Sequence, residues 1–319
     1  MSTKPIITIY YGTTGDGEAP RFDGEYYTLA YDDLMARIIK NGGQPVVTYK
    51  ARKTYVGKGV FREGFFARLE GDKVLYDKIT EPFGVDVLYD KNRFPASDLR
   101  KINPDGIKKI CNNKYLSYLM TPDFHKPSFL INNEEEMEAF AMSHAGERVA
   151  LKELDAYGGE KVFVGGLSDY MEGEERLSFP ILAQEFIDTS AGTPDGLASG
   201  YHDVRVCMFN GELVGGLLRM PSGESLKSNL SFGGSARELY NREVPEVLVE
   251  KTAVIDKRFG EAGCRLFSAD WGFDKSTGEW KLFEINNMPG VGHVSVDGPA
   301  AEEYMELLAQ KLVACGRKK

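Results

Sequence analysis

The order of apolar and polar positions along the chain divides it into elements. Ile6–Tyr11 reads as a strand, and residues 12–17 as a glycine-containing turn. Tyr27, Ala30, Tyr31, Leu34 and Ile38 recur at helical spacing. A helix is therefore expected over Tyr26–Lys40, stopped by Asn41-Gly42-Gly43. Pro45–Tyr49 follows as a second strand. Strand, helix, glycine stop and strand form a βαβ opening, which implies a parallel sheet. Residues 54–80 read as hairpins or irregular strands, Val85–Tyr89 as another strand, and Pro104–Leu119 as a helical stretch.

The pattern then changes. Short strands at Pro127–Leu130 and Val149–Lys152 flank a helix over Glu134–His144. With Lys161–Val164 and Ile181–Phe186 they form a small α+β unit. Val204–Phe209, Leu213–Arg219, Ser268–Phe273 and Lys281–Ile285 predict a mostly antiparallel sheet. A long helix is expected over Pro245–Ala262 and a closing helix over Pro299–Cys315. No low-complexity linker separates these parts, so they read as lobes of one enzyme.

Composition narrows the class. The 319 residues are 42% hydrophobic and 27% charged, an ordinary globular mix that excludes wholesale disorder. No run approaches the ~18 uncharged apolar residues of a membrane span. The opening residues are too short an apolar run for a signal peptide, so a cytoplasmic location is expected. The net charge of −9 argues against a nucleic-acid partner. The charge is uneven: residues 36–114 carry 17 Lys/Arg against 9 Asp/Glu. Lys50, Arg52, Lys53, Lys58, Arg62 and Arg68, opposed only by Glu63, read first as a solvated face and second as a docking surface for an acidic substrate or peptide. The four cysteines form no CxxC pair and are expected to be reduced thiols, with Cys207 and Cys264 in the core. The four histidines form no close pair, so a histidine metal site is not expected.

Chemistry concentrates in four stretches. In Ser268–Gly290, a Ser276-Thr277-Gly278 turn joins two strands. Pairing centred on Thr277 sets Asp270 opposite Glu284, and Asn286 shares the face of Glu284. Two carboxylates and an amide oxygen suit Mg²⁺; the plain alternative is the polar face of an edge hairpin. In Val149–Phe163, Lys152 leads into a Gly158-Gly159 turn, where an ammonium and backbone N–H groups can hold phosphate oxygens; an ordinary hairpin reads equally well. Ile181–Asp188 is an apolar strand running into backbone that can face an adenine edge, although a core strand is the more frequent meaning. Asn210-Gly211 is the strongest hairpin signal in the chain. A hairpin centred there places Arg205 and Arg219 near opposite ends of paired strands, amid apolar neighbours. Arginines so placed need partners, and anionic ligands are the simple ones.

Taken in order, Lys114, Lys152 with Gly158-Gly159, Gln184-Glu185-Phe186-Ile187, Asp203-Val204-Arg205, Leu218-Arg219-Met220-Pro221, Lys227-Ser228-Asn229, Gly233-Gly234, Asp270 and Glu284-Ile285-Asn286 resemble the ATP-grasp superfamily. The likeness is to bacterial glutathione synthetase and RimK-type amino-acid ligases. It runs from about residue 110 to 290; each motif is loose alone, and nine in the correct order are specific. The resemblance implies an α/β and α+β protein: an ATP-grasp fold after an N-terminal parallel α/β (pre-ATP-grasp) domain over 1–108. A small lid subdomain would occupy 109–187, and the metal and substrate site would lie in 188–319.

The resemblance also implies roles. Lys114 and Lys152 would contact ATP phosphates under a loop containing Gly158 and Gly159. Gln184, Glu185, Phe186 and Ile187 would form the adenine hinge, with Asp203 near the nucleotide. Asp270, Glu284 and Asn286 would hold one or two Mg²⁺ ions, or Mn²⁺. Arg205, Arg219, Lys227 and Asn229 would face the transferred phosphate and a carboxylate substrate. The implied activity is ATP-dependent carboxylate–amine ligation through an acyl phosphate, on small-molecule or peptide substrates, with no membrane or nucleic-acid partner; the resemblance also allows a homo-oligomer. A kinase on the same fold and a non-catalytic nucleotide-binding protein are the alternatives. Two features depart from the family pattern. Glu153 follows Lys152 where many members have proline, and residues 188–202 are long and rich in Gly, Ser and Thr, so no ribose ligand is assigned.

Overall fold

The computed structural model describes residues 4–12, 19–20, 22–155, 161–174, 176–223, 226, 233–260, 263–291 and 298–318. Strand β1 (Ile6–Gly12) is followed by α1 (Glu25–Lys40) and β2 (Gln44–Tyr49). The periodicity holds: α1 buries Ala30, Tyr31, Leu34, Met35 and Ile38, and Gly42 takes a positive φ just past its end. A short helix α2 (Ala51–Thr54) leads to β3 (Tyr55–Gly57), β4 (Val60–Phe61), β5 (Gly64–Glu70), β6 (Lys73–Ile79), β7 (Phe83–Gly84) and β8 (Val87–Asp90). The main sheet here runs β6-β5-β2-β1-β8. It is parallel at β2-β1-β8, as the βαβ pattern requires, and the β5–β6 hairpin extends it antiparallel. A second sheet, β3-β4-β7, flanks it.

The helical stretch expected over Pro104–Leu119 is two helices, α3 (Asp105–Cys111) and α4 (Lys114–Met120). Asn113 breaks them apart because its side chain caps α4, accepting from the Leu116 N–H at 2.9 Å. Beyond a 3₁₀ turn at Pro122–Phe124 come β9 (Ser128–Ile131), α5 (Glu134–Ser143), β10 (Arg148–Glu153), β11 (Val162–Gly166), α6 (Leu167–Glu172) and β12 (Ile181–Glu185). The strands form one antiparallel sheet, β11-β10-β12-β9. Its helices cover one face through Met137, Phe140, Leu167 and Tyr170.

The third unit contains β13 (Asp203–Phe209), β14 (Glu212–Met220), β15 (Ser235–Leu239), α7 (Glu246–Phe259), β16 (Leu266–Asp274), β17 (Glu279–Asn286) and α8 (Pro299–Arg317). Its sheet is β15-β14-β13-β16-β17, all antiparallel. Asn210 and Gly211 both take positive φ in the two-residue β13–β14 turn, the conformation that selects Asn-Gly. Helix α7 packs under one face through Leu248 and Ile255. Helix α8 buries Tyr304, Met305, Leu308, Leu312 and Val313 in a core shared with α1, β1 and β14. At ~2 kcal/mol per fully buried leucine-sized side chain, this single helix is a principal tie between the first and third units.

One expectation fails outright. Cys264 and Cys315 are not free thiols but a disulfide, with both sulfurs buried; Cys111 and Cys207 are the free, buried cysteines. The pairing joins the loop before β16 to the end of α8 across 51 residues. No local spacing could reveal it, because helix docking and not sequence proximity brings the two together.

Candidate functional site

The site is built on the third sheet. Cross-strand pairing sets Arg205 on β13 beside Asp270 on β16, and Asp270 beside Glu284 on β17, so the three form one row. The hairpin register holds as Trp271↔Leu282 near the turn and as Asp270↔Glu284 beyond it. Phe283 is therefore an extra residue, a β-bulge. Without it Glu284 would point to the opposite face; the bulge re-aims it into the row. Asn286 lies two residues on and donates from Nδ2 to Asp270 Oδ2 at 3.3 Å.

The two arginines meet here rather than lying apart. Arg205 grips Asp270 with Nε and Nη2 at 2.7 and 2.8 Å. Arg219, directly opposite Asp203 across β13–β14, donates from Nη2 to Asp203 Oδ2 at 2.5 Å and to Asp270 Oδ2 at 2.8 Å. The partners that the arginines demand are thus protein carboxylates in the first instance, supplied by a strand 65 residues away. Burial would raise the Asp270 carboxyl, but Arg205 and Arg219 hold it down at about 2. Asp203 goes the other way: burial and the charge of Asp270 outweigh Arg219 and push it up to about 6. Asp203 Oδ1 and Arg219 Nε are buried without a partner among the described residues.

Facing this row is the sheet of the second unit. Lys152 on β10 donates from Nζ to the Gln184 Oε1 at 2.8 Å and to the Phe283 carbonyl at 3.1 Å. The bulged residue thus serves twice, turning Glu284 inward and presenting its carbonyl to the lysine. Burial, helped by the charge of Lys114, lowers the Lys152 ammonium to about 8, against the pull of Glu284 and Asp270. Lys114, at the start of α4, lies 3.6 Å from Glu284 Oε1. Gln184 is a strand-interior residue whose side chain, not only its backbone, faces the site. The Glu185 and Phe186 amides are used by Pro127 and Arg148. The Ile187 N–H and C=O have no backbone partner among the described residues.

These groups enclose a cavity of about 370 Å³. Lys114, Lys152, Gln184, Phe186, Ile187, Asp203, Arg205, Arg219, Asp270, Glu284 and Asn286 all line it. Glu185 does not. Gly158, Gly159, Lys227 and Asn229 lie outside the described residues. Glu153 accepts from Lys161 Nζ at 2.8 Å and from the Ser178 N–H at 2.9 Å, so it ties the stem of the glycine turn to the chain before β12. The long 188–202 segment adds Thr189, Tyr201 and His202 to the wall. His202 is locked: Nδ1 meets the Gly200 carbonyl at 2.7 Å and Nε2 accepts from the Phe273 N–H at 3.2 Å.

Two contributors had no signal in the sequence. Asp274 is fully buried and accepts from the Asp188 N–H at 2.9 Å, Lys126 Nζ at 3.2 Å, Ser276 Oγ at 2.6 Å, and the N–H and hydroxyl of Thr277 at 3.1 and 2.9 Å. It therefore ties the start of the 188–202 segment, the strand leader at Lys126 and the β16–β17 turn to one carboxylate. His125 lies behind Gln184, with Nδ1 3.2 Å from the amide Nε2. Burial and the nearby Lys152 charge lower His125 to about 3, so the ring is neutral. A lone histidine and a turn aspartate reveal nothing until distant strands converge on them.

The donor set Asp270, Glu284 and Asn286 fits a hard divalent cation. Asn286 turns its amide N–H toward Asp270, which leaves its oxygen as an acceptor; Asp270 Oδ2 already accepts from Arg205, Arg219 and Asn286, so Oδ1, which accepts only from Arg205 Nε, is the Asp270 oxygen with a lone pair to spare. Among the described residues no group of three or more His, Cys, Asp or Glu side chains is placed to hold a metal, so any such ion depends on the asparagine.

Comparison with known proteins agrees with this geometry. Residues 114–255 match the sequence model of the prokaryotic glutathione synthetase ATP-grasp domain. Three solved ligases superpose along nearly their whole length. They are PsnB complexed with a minimal precursor (TM-score 0.60, 15% identity, 98% of this chain and 99% of that one), the VanG D-Ala:D-Ser ligase of Enterococcus faecalis (0.62, 13%, 98% and 99%) and the D-cycloserine synthetase DcsG (0.60, 12%, 96% and 99%). The chain has the ATP-grasp fold. A glutathione synthetase of Bradyrhizobium diazoefficiens is 28% identical over 125 residues, covering 37% of this chain and 36% of that protein. The chain thus matches about a third of the length of that curated relative, whereas the structural likeness to the three ligases covers 96–98% of the chain. No helix among the described residues is long and apolar enough to cross a membrane.

Proposed function

We propose that this protein is an ATP-dependent ligase that joins a carboxylate to an amine through an acyl phosphate, releasing ADP and phosphate. One observation carries the reading. A single cavity brings Lys114 and Lys152 against Asp270, Glu284 and Asn286, with Arg205 and Arg219 alongside. Four cations facing two carboxylates and an amide is a poor way to stabilise a fold. It is a good way to receive a nucleoside triphosphate and a second anion.

In this reading Lys114 and Lys152 hold phosphate oxygens, and Gly158 and Gly159 belong to the loop over them. The Ile187 backbone, within the 184–187 hinge, meets the adenine edge. Asp203 lies beside the nucleotide. Asp270, Glu284 and Asn286 hold Mg²⁺, as one or two ions, or Mn²⁺; when bound, the ion neutralises charge on the transferred phosphoryl group. Arg205, Arg219, Lys227 and Asn229 orient the carboxylate and steady the same phosphoryl group. A carboxylate oxygen attacks the γ-phosphorus and the bond to the β–γ bridging oxygen breaks, so ADP leaves. The amine then attacks the acyl carbon, phosphate departs, and the ammonium product loses a proton. The residues contribute positioning and preorganised charge. The closed lid excludes water that would hydrolyse the acyl phosphate.

We assign residues 1–108, 109–187 and 188–319 to an N-terminal domain, a lid and a catalytic subdomain. Amino acids or peptides are the substrate class, with a membrane or nucleic acid excluded as partner and a homo-oligomer allowed. Dependence on ATP favours the cytoplasm, where burial shields the Cys264–Cys315 bond from thiol reductants. The test is product analysis with MgATP and pools of amino acids and dipeptides, with hydroxylamine as trap. ADP with a hydroxamate is expected; AMP would reject the mechanism.

A further inference from the structure

We infer that His125 is a positioning residue for the phosphate-binding lysine, acting through Gln184: an imidazole–amide–ammonium relay that aims Lys152 into the cavity. The inference rests on the ligase reading only for the identity of the ligand that Lys152 meets.

The geometry runs in one line. His125 Nδ1 lies 3.2 Å from Gln184 Nε2, and Gln184 Oε1 lies 2.8 Å from Lys152 Nζ. Both His125 and Gln184 are buried, so little of either is open to bulk water. An ammonium has only donors, so Lys152 requires the amide oxygen. The amide NH₂ must then face His125, which requires a lone pair on Nδ1. The ring is therefore the Nε2–H tautomer, and it must be neutral; its buried Nε2 has no hydrogen-bond partner among the described residues, so the tautomer is set from the Nδ1 side alone. An imidazolium would set N–H against N–H. Groups around the ring agree with that state: Lys152 disfavours its charge, and only Asp123 and the Leu282 carbonyl favour it. Tyr118 on α4 packs its ring edge-on at 5.7 Å and holds the imidazole in place.

The consequence lies in the count of donors. Lys152 has three N–H groups; one goes to Gln184 and one to the Phe283 carbonyl. With two donors held by these acceptors, the third N–H is left for the cavity that Lys152 lines. Remove the lone pair on His125 and the amide of Gln184 is free to turn over. Lys152 then loses one of its two fixed bonds, and its remaining donors no longer point one way.

The test uses three variants of the full chain, each first checked for a wild-type-like urea transition. His125→Leu removes the acceptor, His125→Asn keeps an acceptor at the Nδ1 position, and Gln184→Met breaks the relay at its middle. Two quantities are read: the affinity for the non-hydrolysable analogue AMP-PNP with Mg²⁺, and the titration of Lys152 followed by ¹³Cε NMR of protein carrying ¹³C-labelled, otherwise unmodified lysine. His125→Leu and Gln184→Met are expected to weaken AMP-PNP by ~10-fold or more and to move the Lys152 titration to lower pH. His125→Asn is expected to restore both. An unchanged Lys152 titration in His125→Leu, or a His125→Asn variant as defective as His125→Leu, overturns the relay. If His125→Leu does not fold, the same Lys152 shift must appear in Gln184→Met, and its absence there overturns the relay too. Failure of the wild-type protein to bind AMP-PNP would instead sink the ligase reading, while the lysine titration still decides the relay.

Discussion

Replacing Asp274 with asparagine is the sharpest stability test of how the site is held. The carboxylate takes five hydrogen bonds from three parts of the chain, and burial is outweighed by Ser276, Thr277, Asp188 and Lys126, so its carboxyl stays below the usual range. In Asp274→Asn the amide oxygen can keep only one side of this set. If it stays with the Asp188 N–H, the new NH₂ faces Lys126, the Thr277 N–H and two hydroxyls. The hydroxyls of Ser276 and Thr277 can rotate to accept; the ammonium and the backbone N–H cannot. Two buried donors are left opposing a third, each worth ~1–3 kcal/mol, and the Lys126 ion pair is lost. A loss of ~3–5 kcal/mol follows. With m near ~3 kcal/mol/M, the urea midpoint falls by a little over ~1 M. The sign of the pH dependence is fixed too. A depressed carboxyl contributes stability that is fully present above the unfolded value and is lost only as pH falls through the folded one. The gap between wild type and variant is therefore constant from pH 6 to 9. A loss under ~1 kcal/mol, or a gap that changes across that range, would refute the assignment of Asp274 as the tie.

Other outcomes follow from the same geometry. Arg219→Ala is expected to lose ligation by at least ~100-fold while MgADP affinity changes less than ~5-fold, because Arg219 is assigned to the transferred phosphoryl group, which ADP lacks; equal losses in turnover and isothermal titration would count against it. Lys152→Met should weaken MgATP by ~10-fold or more. In the wild type, affinity should decline as pH rises through about 8, where the buried ammonium loses its charge; a flat profile to pH 9.5 contradicts that placement. Gly272→Ala would put a Cβ 2.5 Å from Phe283 Cε2 and 2.6 Å from Thr189 Cγ2. Thermal denaturation should show a cost of ~1–3 kcal/mol, and nucleotide binding should fall with it because the bulge is displaced.

How far the sequence could be read depended on the range of each contact. The Asn210-Gly211 turn needs only its two residues and was read correctly, but the register that it sets holds only to Met208↔Leu213; Val214 is an extra residue that shifts the rest of β13–β14 by one. The facing of Asp270 and Glu284 was also foreseen, but on a regular hairpin; the true path includes the Phe283 bulge, which no local pattern marks. The arginines were seen as needing anions, yet Asp270 reaches Arg205 through β13–β16 pairing between segments 65 residues apart, outside any hairpin argument. Asp274 sits in an Asp-Lys-Ser-Thr-Gly turn that fully accounts for it locally, so its bonds to Lys126 and Asp188 were invisible. His125 had no patterned neighbour. Cys264 and Cys315 were misjudged for the same reason: their meeting depends on where α8 docks.

The central claim is that a carboxylate is activated by phosphoryl transfer. Once a carboxylate substrate is in hand, it should be labelled with ¹⁸O in both carboxyl oxygens and turned over with MgATP and its amine. The account predicts ADP and inorganic phosphate carrying one ¹⁸O from the carboxylate for each amide formed. Unlabelled phosphate, or label appearing in AMP, would contradict it.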